Sequence, residues 1–216
     1  MAVSYSEDSI NLFKQPARFL VAGYSNSGKS ELINKIIIKY HEVFKRIIIC
    51  GVKEHALEAN EVIEPKLKLS LDIIDPLQDE DTYDKRGTLF VLDDVYAEAV
   101  KNKLVVDAFT RGRHSGLSVI LITQNLYMSG KHARDISLNC SHFLLLRQRD
   151  LSQIELLGRQ IFGPTRARAF ADIYKAAVYS RSYGYLLVDL SINTPEALQF
   201  RSNIVDEGPY ERVFQW

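Results

Sequence analysis

Cysteine is scarce in this chain, with only Cys50 and Cys140 in 216 residues. Two thiols do not make the stapled framework of a small secreted protein, and they read as small core residues in a reducing compartment. Long apolar runs are missing too. None approaches the ~20 residues of a membrane-spanning helix. The N-terminal MAVSYSEDSINLFKQ has neither the basic start nor the apolar centre of a secretory signal. We therefore expect a protein that is neither secreted nor embedded in a membrane. His114, His132 and His142 do not make metal-ligand spacing with the two cysteines, so no structural zinc is expected. Internal repeats and low-complexity segments are lacking as well.

Net charge is also absent, with 27 Lys+Arg balancing 27 Asp+Glu, but the signs are not mixed evenly. Residues 1–100 carry 12 basic against 17 acidic side chains, and residues 101–216 carry 15 against 10. Between 110 and 182 the count is 11 against 4. Such a basic stretch is either an ordinary solvated surface or a face for a polyanion such as DNA. The length suits one domain with a sizeable core. We expect a single domain over 1–216, with 1–15 as an N-terminal segment that is flexible or docks on a partner.

Apolar β-rich runs alternate with helical ones along the chain. ARFLVAG (17–23), RIIICGV (46–52), TLFVLDD (88–94), SVILITQN (118–125), HFLLLRQ (142–148), YGYLLVDL (183–190) and LQFRSNIV (198–205) read as strands. Residues 29–44, 96–112, 151–162 and 164–178 read as helices, the last with Pro164 in its first turn. The polar stretch containing Pro65, Pro76 and QDEDTYD (78–84) reads as a surface excursion with one more short strand. Alternation of fully apolar strands with helices predicts an α/β fold with a mostly parallel sheet flanked by helices.

GYSNSGKS, from Gly23 through Tyr24, Ser25, Asn26, Ser27, Gly28 and Lys29 to Ser30, fits the GxxxxGK[ST] phosphate loop. It lies between a strand and a helix, the context that loop requires. Its glycines let backbone N–H groups wrap a phosphate, Lys29 reaches the β- and γ-phosphates, and the Ser30 hydroxyl joins the shell of a Mg²⁺ ion. The run SNSGKSELIN resembles the first loop of ribosome-assembly GTPases. A guanine-reading NKxD is not visible, however: neither Lys35 nor Lys103 has an aspartate two residues on. The one DxxG, DKRG (84–87), precedes its strand instead of following one. A GTP switch is thus the lesser alternative.

TLFVLDD is an apolar strand ending in two carboxylates, the Walker B pattern. Asp93 would hold Mg²⁺, and Asp94 would sit where a base orients the attacking water. SVILITQN ends in Gln124. A strand between the two motif strands that ends in a polar residue is the plan of the additional-strand (ASCE) P-loop ATPases, in which Gln124 would contact the γ-phosphate or the water. Arg111 and Arg113 flank a glycine in what reads as a loop before that strand, a place for an arginine finger aimed at a neighbour's γ-phosphate.

The run FVLDD…FTRGRHSGLSVILITQNLY…RDISLN…QIELLGRQIF…YGYLLVDL resembles the viral genome-packaging ATPases of the FtsK–HerA superfamily. It is most similar to those of the Maverick/Polinton and adintovirus type, relatives of the packaging ATPases of nucleocytoplasmic large DNA viruses. The resemblance runs from about residue 16 to the C-terminus. It implies a RecA-like core in a homopentameric or homohexameric ring that uses ATP and Mg²⁺ to move double-stranded DNA into a preformed capsid. Capsid vertex proteins would be partners. The site of action would be the host nucleus, a cytoplasmic virus factory or the virion. By position it implies nucleotide contacts at Lys29 and Ser30, Mg²⁺ at Asp93, a base at Asp94 and a sensor at Gln124. Arg113 matches the arginine of the GRxxG run, with Arg111 the alternative. Two departures stand out: many members carry Glu where Asp94 stands, and the loop at 112–116 is one residue shorter than in close relatives.

DNA would be touched by basic residues after the sensor strand, Lys131, His132, Arg134, Arg147 and Arg149, with no pattern for reading bases. Arg134 and Asp135 could instead form a local pair. Arg166 and Arg168 lie two apart on a helix and do not share a face. A capsid-associated scaffold with little turnover remains a further alternative.

Overall fold

The structure is a computed structural model that describes residues 11–14, 16–51, 61, 71–73, 86–93, 101, 103–127, 132–205 and 211–216. The apolar runs of the sequence form strands whose alternate side chains serve two cores. On β1 (Arg18–Ala22), Phe19 and Val21 face one layer and Leu20 and Ala22 the other. The same division holds on β2 (Arg46–Gly51), β4 (Thr88–Asp93), β5 (Leu117–Thr123) and β6 (His142–Leu145). In sequence β3 (Leu71–Ile73), the short strand expected in the polar excursion, follows β2, and in the sheet it pairs with β2 at the edge. Strands buried on both faces need a helical layer on each side, and the helices supply it.

Helix α1 (Lys29–Tyr40) covers one face with Leu32, Ile33, Ile36 and Ile37. Leu12 and Phe13 join it, with the Phe13 ring 4.9–5.4 Å from Phe19, Tyr40 and Phe44. Part of the segment expected to be free or to dock elsewhere thus completes the domain's own core. Helices α2 (Lys103–Ser115), α3 (Ala133–Asn139), α4 (Ser152–Phe162) and α5 (Ala167–Val178) cover the other face. Cys50 and Cys140 are buried in that second core and are not joined in a disulfide, as their scarcity suggested.

The sheet runs β3-β2-β4-β5-β1-β6-β7-β8-β9 and is parallel as far as β6. β7 (Leu186–Asp189), β8 (Phe200–Ser202) and β9 (Arg212–Phe214) extend it antiparallel. β5 lies between β1 and β4, so the strand ending before Gln124 separates the two motif strands as the sequence pattern predicts.

Several local expectations change. Arg111, Gly112 and Arg113 are not in a loop but form the last turn of α2. The spacing of Val105, Ala108, Phe109 and Gly112 buries one helix face on the sheet, and the helix stops only at Gly116, whose φ of 76° is the left-handed turn that ends helices. The part of the expected helix at 96–100 lies outside the described residues. Pro164 stands three residues ahead of α5 instead of in its first turn. RDISLN, for which no helix was expected, is helical in α3, with Asp135 paired to His132 at 3.3 Å and not to Arg134.

The antiparallel half is held by buried charge. Arg201 is 1% exposed and donates to Asp189 at 2.8 Å and to Glu211 at 3.2 Å. Asp189 also faces His142 Nε2 at 3.2 Å and accepts the Ser191 N–H at 3.0 Å. Burial alone would push the Asp189 carboxyl up. The hydrogen bond and charge of His142, the Ser191 N–H and the Arg201 charge outweigh it and hold the group well below the usual carboxylate range. A carboxylate with a lowered native pKa contributes stability in full above its unfolded value of about 4, and that contribution is lost as pH falls below it. Urea unfolding should therefore show stability declining below about pH 4, and Asp189→Asn should be about 3–5 kcal/mol less stable at pH 7 with a flatter acid limb. An equally steep acid limb in the variant would remove Asp189 as its source.

Candidate functional site

The site is built where β1 ends. Gly23 donates its N–H to Thr123 at 3.3 Å and Tyr24 donates to Arg147 at 3.1 Å, so the loop leaves the sheet pinned to both neighbouring strands. The loop then turns through two left-handed residues, Asn26 with φ 62° and Gly28 with φ 92°. Asparagine tolerates that conformation, and Gly28 needs it directly before the first turn of α1. Leu32 donates to the Gly28 carbonyl at 3.0 Å, which starts the helix with its remaining N-terminal N–H groups turned toward the loop.

Four expected residues come together here. A cleft of about 370 Å³ is lined by Lys29 and Ser30 of α1, Asp93 at the end of β4 and Gln124 just past β5. Ser25, Asn26 and Gly28 form its rim. The register explains the convergence. Ala22 is level with Thr123, and Asp93 with Ile122 and Gly51, so four strands, β1, β2, β4 and β5, end within one residue of the same height. Lys29 Nζ donates to the carbonyls of Gly23 and Tyr24 at 2.7 and 3.1 Å, which folds the ammonium back over its own loop. The Ser25 hydroxyl donates to Gln124 Oε1 at 3.3 Å and joins the loop to the sensor strand across 99 residues of sequence. Ser27 is buried beneath the loop. The Ser30 hydroxyl and the Asp93 carboxylate are hard oxygen donors lining one cleft, a set that suits Mg²⁺.

Asp94 lies outside the described residues, as do Lys131 and the side chain of Arg113. The backbone of Arg113 is on α2, ahead of β5, whereas Gln124 follows that strand. The seven residues of β5 put about 20 Å between the two ends, so Arg113 is remote from its own cleft. Arg111 is exposed and pairs along its helix with Asp107 at 3.8 Å.

Arg147 and Arg149, expected to touch DNA, follow β6 at the nucleotide-facing end of the sheet. Arg147 lies over the Tyr179 ring at 5.1 Å and Arg149 over the Tyr24 ring at 5.7 Å. Arg166 packs over Trp216 at 5.0 Å and pairs with Glu196 at 3.4 Å, which ties it to the C-terminal end. The sequence carried no signal for Tyr174. Its buried hydroxyl donates to the Leu146 carbonyl at 2.8 Å and accepts the Gln148 N–H at 2.9 Å. It thereby bolts α5 to the segment whose Arg147 carbonyl holds Tyr24, and burial pushes its phenol above the ordinary range.

A phosphate loop, an acidic strand end and an interposed sensor strand on one parallel sheet define a P-loop NTPase fold. Residues 19–146 match the family model described as Zonular occludens toxin (Zot), and the chain belongs to that family. No curated protein sequence matches it. Among solved structures, the genome packaging NTPase B204 from Sulfolobus turreted icosahedral virus 2, in complex with AMP, is similar with a TM-score of 0.55 at 17% identity, over 83% of this chain and 95% of that one. The same protein in complex with ATP-gammaS gives 0.54 at 18%, over 83% and 94%. B204, the DNA-packaging ATPase from Sulfolobus Turreted Icosahedral Virus, gives 0.55 at 15%, over 82% and 94%. At these identities the likeness is one of fold.

Tyr174→Phe leaves the Leu146 carbonyl and the Gln148 N–H without their partner. It should lower unfolding free energy by about 1–3 kcal/mol in urea titrations. An unchanged midpoint would mean that the hydroxyl carries no net load.

Proposed function

We propose that this protein is an ATPase that drives double-stranded DNA into a viral capsid. The observation that carries the reading is the convergence of Lys29, Ser30, Asp93 and Gln124 on one cleft at the level where β1, β4 and β5 end. That is the donor set a nucleoside triphosphate needs for its terminal phosphates. On binding, Lys29 exchanges the carbonyls of Gly23 and Tyr24 for the β- and γ-phosphates. Ser30 and Asp93 would hold Mg²⁺, which when bound would supply charge neutralisation at the phosphate oxygens. Asp94, next along the chain from Asp93, takes the proton of the attacking water. Gln124 orients that water from the far wall. The relatives described as packaging NTPases and the Zot family membership support the direction of the reading.

The remoteness of Arg113 favours a shared site. An arginine whose backbone stands about 20 Å from its own cleft suits a neighbour's, so the active species is a ring, pentameric or hexameric, with Arg113 acting in trans. DNA is held without base reading, through its phosphates, and Lys131, His132, Arg134, Arg147 and Arg149 are the candidate contacts. Capsid vertex proteins anchor the ring in the infected cell. Among the described residues no helix is long and apolar enough to cross a membrane.

Hydrolysis of ATP and GTP, each with and without long double-stranded DNA at low salt, tests this. ATP-selective turnover that rises several-fold with DNA and disappears in Lys29→Ala is expected. GTP-selective turnover indifferent to DNA would identify a switch, and weak turnover unchanged by DNA a scaffold. Asp94→Asn should bind ATP yet hydrolyse it at least ~100-fold more slowly, as loss of a general base requires. Undiminished turnover would take Asp94 out of the mechanism. Arg113→Ala subunits mixed with Lys29→Ala subunits should recover part of the activity, because each supplies what the other lacks. Absence of rescue at every ratio would count against an arginine acting in trans.

A further inference from the structure

A second cleft, of about 590 Å³, opens beside the phosphate loop. Gly28, Leu32 and Lys35 line it from the loop and α1, and Arg181, Tyr183 and Tyr185 from the segment before β7. It shares Asn26, Gly28 and Glu31 with the cleft of Asp93 and Gln124 and no other residue. The first cleft draws its walls from β2, β4 and β5, whereas the second draws on the segment leading to β7. These strands flank β1 on opposite sides of the sheet order. The two clefts therefore meet across the loop. A polyphosphate whose terminal group lies near Asp93 and Gln124 would have the second cleft open to its other end across the loop.

Tyr183 is the conspicuous residue there. It is 68% exposed, yet it holds a left-handed φ of 55°, which a bulky side chain rarely adopts. Its neighbour Gly184 shows why the turn is fixed. A Cβ on Gly184 would come within 2.4 Å of the Val178 carbonyl oxygen and 2.9 Å of that of Ala177, so the chain closes directly on the end of α5. On the other side, Tyr183 Cδ1 lies 3.0 Å from where a Gly28 Cβ would stand. The ring thus rests on the phosphate loop itself and leaves most of its surface to the open cleft. Beneath it Tyr185 is buried, with its hydroxyl accepting the Ile204 N–H at 2.7 Å and the Arg181 guanidinium 5.8 Å above its ring. An aromatic side chain kept exposed, in a costly backbone conformation, against a phosphate loop has the makings of a stacking platform.

We propose that this cleft is the nucleoside subsite and that Tyr183 stacks on the base of the bound nucleoside triphosphate. Arg181 adds positive charge beside the path from base to phosphates, whereas Lys35 is paired with Glu31 at 3.3 Å. The inference rests on the nucleotide-binding reading above, and the test separates the two.

Calorimetric titration with ATP and with inorganic tripolyphosphate would be compared across the unaltered chain, Tyr183→Asn, Tyr183→Phe and Lys29→Ala. Asparagine tolerates the left-handed backbone and lacks the ring, so it removes the platform without adding strain. Tyr183→Asn should weaken ATP about tenfold and leave tripolyphosphate unchanged, Tyr183→Phe should bind both as the unaltered chain does, and Lys29→Ala should weaken both. ATP affinity intact in Tyr183→Asn but lost in Lys29→Ala would overturn the base subsite and leave the phosphate site standing. Equal losses of ATP and tripolyphosphate in Tyr183→Asn would also overturn it, since the ring would then be supporting the loop. Failure of the unaltered chain to bind either ligand would overturn the nucleotide reading itself, and the subsite with it.

Discussion

Two backbone hydrogen bonds, Gly23 to Thr123 and Tyr24 to Arg147, hold the start of the phosphate loop between its neighbouring strands. They exist because β1 is paired in parallel on both sides and ends level with β5 and β6. Parallel pairing with one register is itself enforced by burial. A slip of one residue would turn Phe19 and Val21 into the face now filled by Leu20 and Ala22, and both cores would have to repack. The chemistry at the loop is therefore placed by side chains that never touch a ligand.

The sheet divides its work. Its parallel half, apolar on both faces, ends in the residues that line the cleft. Its antiparallel half contributes none of the Walker residues but braces the loop from the β6 side. Arg201, Asp189, Glu211 and His142 lock β6, β7 and β8 together through a buried network of charge. Such networks cost desolvation when they form and much more when one partner is lost, so they favour one arrangement over near alternatives. Tyr174 and the Tyr183 turn both depend on that frame, since α5 and the lead into β7 are packed on it.

The opposite ends of β5 would face two different nucleotide sites in the proposed ring. One end leads to Gln124 and the nucleotide cleft, and the other follows directly from α2 and Arg113. A rigid buried strand linking a subunit's own cleft to the helix that would enter its neighbour's offers a short mechanical route between adjacent sites in a ring.

The local chemistry was legible in the sequence because it is written in contiguous residues. GYSNSGKS needs no distant partner to be recognised, and TLFVLDD and SVILITQN announce buried strands by composition alone. Their order in the sheet followed from the same pattern. What only the tertiary structure decided is what depends on contacts between distant segments. Arg111 and Arg113 look like loop residues around a glycine, yet burial of Gly112 against the start of β5 keeps them helical. Arg147 and Arg149 look like free cations, yet strand pairing carries them to the mouth of the phosphate loop. Tyr183 reads as the start of a strand, and its place on Gly28 arises only when α5 closes on Gly184. Motif chemistry is local and survives in one dimension. Exposure, strain and proximity are set by packing, and they belong to the folded chain alone.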